Sequence, residues 1–156
     1  MTVHLRRATL DDIDTVVELF REYAAGLDID LGYQDFEAEL ESLPGAYAPP
    51  KGALLLAEID GKPVGCVAVR ALHATKFCEM KRLYVRGAAR GTGAGRALAE
   101  AAVAEGSRMA YAAMRLDTLS TMLAALSLYR ALGFKEIAAY YETPIADTVF
   151  MHKNLA

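Results

Sequence analysis

The stretch that decides the fold is Cys78-Glu79-Met80-Lys81-Arg82-Leu83-Tyr84-Val85, followed by Arg86-Gly87-Ala88-Ala89 and then Arg90-Gly91-Thr92-Gly93-Ala94-Gly95-Arg96. An apolar strand, a glycine-rich turn and the start of a helix follow one another. The first turn of a helix carries unpaired backbone N–H groups and a partial positive charge, which together attract phosphate. Glycines at 91, 93 and 95 remove the Cβ atoms that would hold a diphosphate away from those amides. Thr92 and Ala94 keep the turn open, and Arg90 and Arg96 add full charges. The stretch therefore predicts a diphosphate site. It does not fit the dinucleotide fingerprint G-x-G-x-x-G, whose last glycine would fall on Arg96 or Leu98. Nor does it fit the nucleoside triphosphate loop, since Gly95-Arg96-Ala97 lacks the required Lys-Ser/Thr.

Working outward, Val3 to Arg7 alternates as a short strand. Thr9 is a plausible N-cap for a helix reaching Gly26, and a more acidic helix is predicted over Tyr33 to Leu43, stopped by Pro44-Gly45. Ala53–Ile59 and Val64–Leu72 read as strands joined by Asp60-Gly61-Lys62-Pro63, with Asp-Gly turn chemistry. After the strand near 78–85, a long helix covers Gly93 to about Met109. Ala113–Asp117 reads as a strand and Met122–Leu132 as a helix ended by Gly133. Strands near Phe134–Tyr140 and Thr148–Lys153 close the chain. The order predicts a mixed α/β sheet with helices on both faces.

The 156 residues suit one domain spanning 1–156, with 54 % apolar and 24 % charged residues. No apolar run reaches the roughly 20 residues of a membrane span. The N-terminus lacks the apolar stretch of a secretory signal, and Cys66 and Cys78 sit in apolar segments as reduced core thiols. Both features point to a cytoplasmic protein with no metal site. Net charge is −3 but unevenly spread. Residues 11–41 hold eleven acids against Arg21 alone, whereas Lys81, Arg82, Arg86, Arg90 and Arg96 fall within sixteen residues. Either two solvated faces or two ligand-attracting faces would account for this. With no recognition motif and a negative net charge, nucleic-acid binding is disfavoured.

Arg90-x-x-Gly93-x-Gly95 resembles the acetyl-CoA loop of the GNAT superfamily of N-acetyltransferases. Cys78 to Val85 resembles the strand before that loop, and Leu126-Ser127-Leu128-Tyr129-Arg130-Ala131-Leu132-Gly133-Phe134 resembles the later helix with its Tyr-x-x-x-Gly-Phe ending. Three motifs at consistent spacing extend the resemblance over nearly the whole chain. It implies a mixed, mostly antiparallel sheet of six to seven strands, splayed open in the middle and flanked by about four helices. It implies acetyl-CoA as co-substrate, held by residues 90–96 and by the strand residues Leu83, Tyr84 and Val85. Backbone groups of Leu83 and Val85 would pair with the pantetheine arm, and the Val85 N–H would steady the oxyanion of a tetrahedral intermediate. One departure stands out: Met122 occupies the position of an asparagine that contacts the cofactor in many members, and neighbouring Ser120 or Thr121 could replace its hydrogen bond.

The same resemblance makes Tyr129 the acid for the departing thiolate, since the two groups have similar ordinary pKa values; the alternative is a core aromatic at a helix end. Glu79 coincides with the glutamate that some members use as general base, directly or through water. It equally suits an anchor for the acceptor ammonium, or a partner for Lys81 or Arg82. Period-two counting puts Glu79 on one strand face with Lys81, Leu83 and Val85. The acceptor would be a small-molecule or peptide amine drawn in by the acidic stretch 11–41, with Glu22, Tyr23, Tyr33, His73, Tyr140 and Tyr141 as candidate lining residues. A non-catalytic acyl-CoA sensor is the competing reading, and the family often forms homodimers.

Overall fold

The computed structural model describes residues 2–27 and 30–155, with the backbone alone at Tyr33. Seven strands form one sheet: β1 (His4–Arg7), β2 (Ala53–Ile59), β3 (Lys62–Ala71), β4 (Phe77–Val85), β5 (Ala113–Leu119), β6 (Lys135–Ile137) and β7 (Thr148–Asn154), in the order β1-β2-β3-β4-β5-β7-β6. Neighbours run antiparallel except for the parallel pair β4–β5. Among the described residues there are four α-helices: α1 (Ile13–Gly26), α2 (Phe36–Ser42), α3 (Ala94–Arg108) and α4 (Leu123–Ala131). No helix among the described residues is long and apolar enough to cross a membrane.

Local chemistry explains most boundaries. Asp60 and Gly61 both have positive φ, 53° and 75°, as a two-residue type I′ hairpin requires, so the turn is tighter than predicted and β3 begins at Lys62. Thr9 accepts the N–H of Asp12 and returns its own N–H to the Asp12 carboxylate at 2.7 Å. That reciprocal cap opens a short 3-10 turn, and α1 itself starts only at Ile13. The second helix is shorter than predicted because Asp35 takes a left-handed conformation, φ 55°, which separates a 3-10 turn at Leu31–Gln34 from α2. The strand predicted over 134–140 stops at Ile137, which releases Tyr140 from the sheet.

The sheet is buried on both sides. Leu54, Leu56, Cys66 and Ala68 face Val16, Leu19, Phe20, Phe36 and Leu40 of α1 and α2. Leu55, Val67, Val69, Cys78 and Met80 face Leu98, Ala99 and Ala102 of α3 and Leu126 and Tyr129 of α4. Burial on both faces is why β2 and β3 read as continuous apolar runs instead of alternating. Removing the side chain of a fully buried residue such as Leu56 costs about 2–5 kcal/mol.

Two irregularities in β4 create the site. First, β4 pairs with β5 only through Phe77–Ala113, Cys78–Met114 and Glu79–Arg115, so from Met80 onward the sheet is splayed open on that side. Second, Lys81 lies opposite Ala68 and Tyr84 opposite Cys66, leaving Arg82 and Leu83 against Val67 alone. This is a β-bulge, with Arg82 at φ 60°. The extra residue reverses the alternation, which corrects the period-two expectation. Glu79 and Lys81 point towards α1 and α2. Leu83 and Val85 instead pack on the α3 side, while Tyr84 packs with the α1 cluster.

Candidate active site

Three adjoining cavities follow the splayed edge of β4. A groove of about 480 Å³ runs past Leu83, Tyr84, Val85, Arg90, Gly95 and Leu128. A narrow gap of about 50 Å³ between β4 and β5 is lined by Lys81, Leu83, Asp117, Thr118, Met122 and Tyr129. On the α2 side a cavity of about 470 Å³ is lined by Gln34, Arg70, His73, Glu79, Lys81 and Tyr140. Tyr23, Leu83, Met122 and Ala125 border both groove and gap, and Lys81 borders both gap and α2-side cavity. The gap, which shares lining residues with both larger spaces, is where their contents could meet.

The groove begins at the glycine-rich turn. Gly91 and Gly93 have φ of 82° and 88°, and Gly93 is the N-cap of α3. A Cβ on either would touch nothing within 4 Å, so glycine is required there by backbone conformation. Thr92 Oγ1 ties the turn by donating to Ala89 O at 2.5 Å. The first helical backbone bond runs from Ala97 to Gly93, and the N–H groups of Gly93, Gly95 and Arg96 make no backbone hydrogen bond among the described residues. An anion at this end of a fifteen-residue helix meets amides and the positive end of the dipole together.

Farther along, the Arg86 N–H donates to Val64 O at 2.8 Å. By the alternation of an antiparallel ladder, Tyr84 turns its backbone groups towards β3, and Val85 turns its own away into the splay. Leu83, on the far side of Tyr84, likewise faces the opening. This edge can pair with an extended, amide-bearing chain as a missing strand would. The bulge is fixed from behind by the Cys66 thiol, which donates to Arg82 O at 3.3 Å.

Tyr129, 7 % exposed, stands where the gap reaches α4. Burial, and then the neighbouring Tyr23 and Asp117, push its phenol above the ordinary tyrosine value, so it holds its proton at neutral pH. Met122 lines both gap and groove, and its sulfur accepts from Thr118 Oγ1 at 3.7 Å. Thr118 is the hydroxyl that borders the gap beside Met122.

Glu79 is 1 % exposed. Its Oε1 accepts from Arg70 Nε at 2.9 Å and its Oε2 from the Tyr140 hydroxyl at 2.5 Å. Burial and the adjacent Glu79 keep that phenol firmly protonated. The partners expected for Glu79 are engaged elsewhere. Arg82, 3 % exposed, forks onto Glu39 at 3.0 and 2.9 Å, and Lys81 Nζ donates to Gln34 Oε1 at 3.1 Å.

These pairs also explain the charge asymmetry. Acidic residues of the first half face basic residues of β4 and the turn just after it: Arg82 holds Glu39, and Arg86 holds Glu22 and Glu18 at 2.8 and 2.7 Å. Among the described residues, five acids of that stretch, Asp12, Glu18, Glu22, Glu37 and Glu39, are held in ion pairs, and Glu39 also lines the α2-side cavity. Glu22, bound by Arg86 and by the Tyr84 hydroxyl, lies outside the α2-side cavity. Tyr23 borders the gap and groove, whereas His73, Tyr140 and Tyr141 do line the α2-side cavity. The side chain of Tyr33 lies outside the described residues.

Arg70, Gln34 and Asp117 were missed by sequence reasoning. Arg70 left a signal, since it is the lone charge in the apolar run 64–72, and Asp117 a weaker one, sharing its short strand with Arg115; Gln34 left none. Asp117 Oδ2 accepts from Tyr141 at 2.9 Å, which draws the 140–141 segment over the cavity.

Residues 13–134 match the model of the acetyltransferase (GNAT) family. The chain is 38 % identical over 146 residues to an uncharacterized N-acetyltransferase of Schizosaccharomyces pombe, covering 93 % of this chain and 90 % of the relative. A GNAT-family acetyltransferase from Staphylococcus aureus superimposes with a TM-score of 0.81 at 19 % identity, over 99 % of this chain and 100 % of that one. PaiA N-acetyltransferase from Thermoplasma acidophilum, solved with coenzyme A, superimposes with a TM-score of 0.75 at 19 % identity, over 99 % of both chains.

Proposed function

The chain belongs to the acetyltransferase (GNAT) family, and from that membership we propose that it moves an acetyl group from acetyl-CoA to an amine. The single observation that carries this proposal is the continuity of the groove. Free amides at the start of α3 lead along the unpaired edge of β4 to a gap walled by Tyr129.

When bound, the thioester supplies an activated acetyl carbonyl. Gly93, Gly95, Arg96 and Arg90 would bind the diphosphate, with Gly91, Thr92 and Ala94 shaping the turn. Leu83 and Val85 would pair through their backbones with the amides of the arm, and Tyr84 would brace the strand from the α1 side. The Val85 N–H would face the carbonyl oxygen, where negative charge develops. Acceptor enters from the α2-side cavity. Glu79 takes the proton that the amine loses, and Tyr140 and Arg70 hold that carboxylate in place. A C–N bond forms, the C–S bond breaks, and Tyr129 gives its proton to the departing thiolate.

The test is release of free thiol from acetyl-CoA against a broad panel of primary amines, with calorimetric titration of CoA. Binding with amine-dependent thiol release supports the proposal. CoA that binds without turnover on any amine would reduce the protein to a binding module.

A further inference from the structure

Resting on that acetyl-transfer reading, we propose that the acceptor is a free amino acid, an amine with a carboxylate beside its nitrogen, and that Lys81 receives this carboxylate with Arg70 alongside. The observation is a buried cation with no anion of its own. Lys81 is 8 % exposed, and its Nζ donates to the neutral Gln34 Oε1. No ion pair to Lys81 occurs among the described residues.

Every neighbouring carboxylate already has another donor. Glu79 is taken by Arg70 and Tyr140, Glu39 by Arg82, and Asp117 by the Tyr141 hydroxyl. Glu142 lines the same cavity but is exposed. A buried ammonium with three donors and one neutral acceptor is an incomplete site. Its burial pulls its pKa down, and an incoming carboxylate would restore it. Arg70, which uses Nε and Nη2 on Glu79, retains further N–H groups for the same anion.

The position of Lys81 fixes which part of the acceptor it meets. It borders both the α2-side cavity and the gap. Glu79 precedes it by two residues on the same strand face, a backbone separation of roughly 7 Å. A zwitterion seated in that cavity offers its ammonium to Glu79 and its carboxylate to Lys81. A peptide N-terminus lacks that adjacent carboxylate, and a diamine would set a second cation against Lys81 and Arg70.

The experiment is thiol release at saturating acetyl-CoA with the twenty amino acids, their carboxamides and the corresponding decarboxylated amines. At least one amino acid should exceed its own carboxamide in kcat/KM by roughly 10- to 100-fold, the worth of one charge-assisted hydrogen bond. Lys81→Met should raise KM for that amino acid by a similar factor and affect the carboxamide far less. Its Tm should not fall, because an apolar chain of similar length replaces an uncompensated charge. Equal or better turnover of carboxylate-free amines overturns the proposal. So does a Lys81→Met variant that loses rate equally on amino acid and carboxamide, which would make Lys81 a proton carrier. Absence of both CoA binding and turnover on any amine would instead overturn the acetyl-transfer reading itself.

Discussion

Arg70 and Glu79 stand opposite each other across β3 and β4, and Arg70 Nε and Nη2 each lie 2.9 Å from Glu79 Oε1. The carboxylate is buried, whereas the arginine side chain is 36 % exposed. The pair therefore sits at the floor of the α2-side cavity with its cation towards solvent, and it fixes the one acid that the proposed chemistry uses.

Removing the arginine strands that acid. Arg70→Gln should destabilise the protein by about 1–3 kcal/mol, less than for a fully buried pair because the guanidinium is partly hydrated. Urea unfolding measures this. Adding Glu79→Gln should recover part of the loss, and strictly additive effects would deny that the two residues are coupled.

Tyr129 is assigned the proton for the leaving thiolate. Tyr129→Phe should lower kcat by about 10²- to 10⁴-fold and leave the Kd for CoA unchanged. Because burial holds the phenol above its ordinary value, wild-type activity should show no alkaline fall-off from this group below about pH 10. A pH–rate profile of the two proteins checks both statements, and an undiminished kcat in the variant removes the role.

Gly93 and Gly95 should respond differently to the same methyl group. Gly93 sits at positive φ, so Gly93→Ala should cost about 1–2 kcal/mol of stability through backbone strain. Gly95 lies within α3, where an added Cβ would meet Val85 at an ordinary 3.6 Å, so Gly95→Ala should fold normally. Yet its methyl group would stand where the diphosphate approaches, and CoA affinity should fall at least about tenfold. Thermal unfolding paired with calorimetry separates the two effects; unchanged affinity in both variants would place the diphosphate elsewhere.

Acid should destabilise the fold through its paired carboxylates. The Arg6 guanidinium and the Thr9 N–H hold Asp12 well below its ordinary value, and Arg86 and the Tyr84 hydroxyl lower Glu22. Folded pKa values below the unfolded ones mean that this stability is present above the unfolded carboxylate range, near pH 4, and is lost as pH falls through the folded values. Tm should be flat from pH 7 to about 5 and then decline. Arg6→Gln should start lower at pH 7 and decline less, and an identical slope would deny Asp12 its share.

The sheet, the helices on both faces and the glycine-bared start of α3 were legible in the chain because they rest on local causes. Asp60-Gly61 selects its turn, three glycines open a helix N-terminus, and runs of Leu and Val mark strands buried on both faces. The family resemblance likewise rested on contiguous motifs. The site was less legible. The bulge at Arg82 has no signature, since arginine rarely takes positive φ, and missing it put Leu83 and Val85 on the wrong face. Arg70 was overlooked although it stood alone among apolar neighbours.

By itself, then, the sequence determined what depends on neighbours along the chain: hairpin, helix ends, anion-ready amides and the alternation of each strand up to its first irregularity. Only the tertiary structure decided which charges meet. Glu22 and Glu39 lie far in sequence from Arg86 and Arg82, and the fold spends them on one another while leaving Lys81 buried beside a neutral amide. Electrostatic pairing acts through space and burial, and neither is written in residue order.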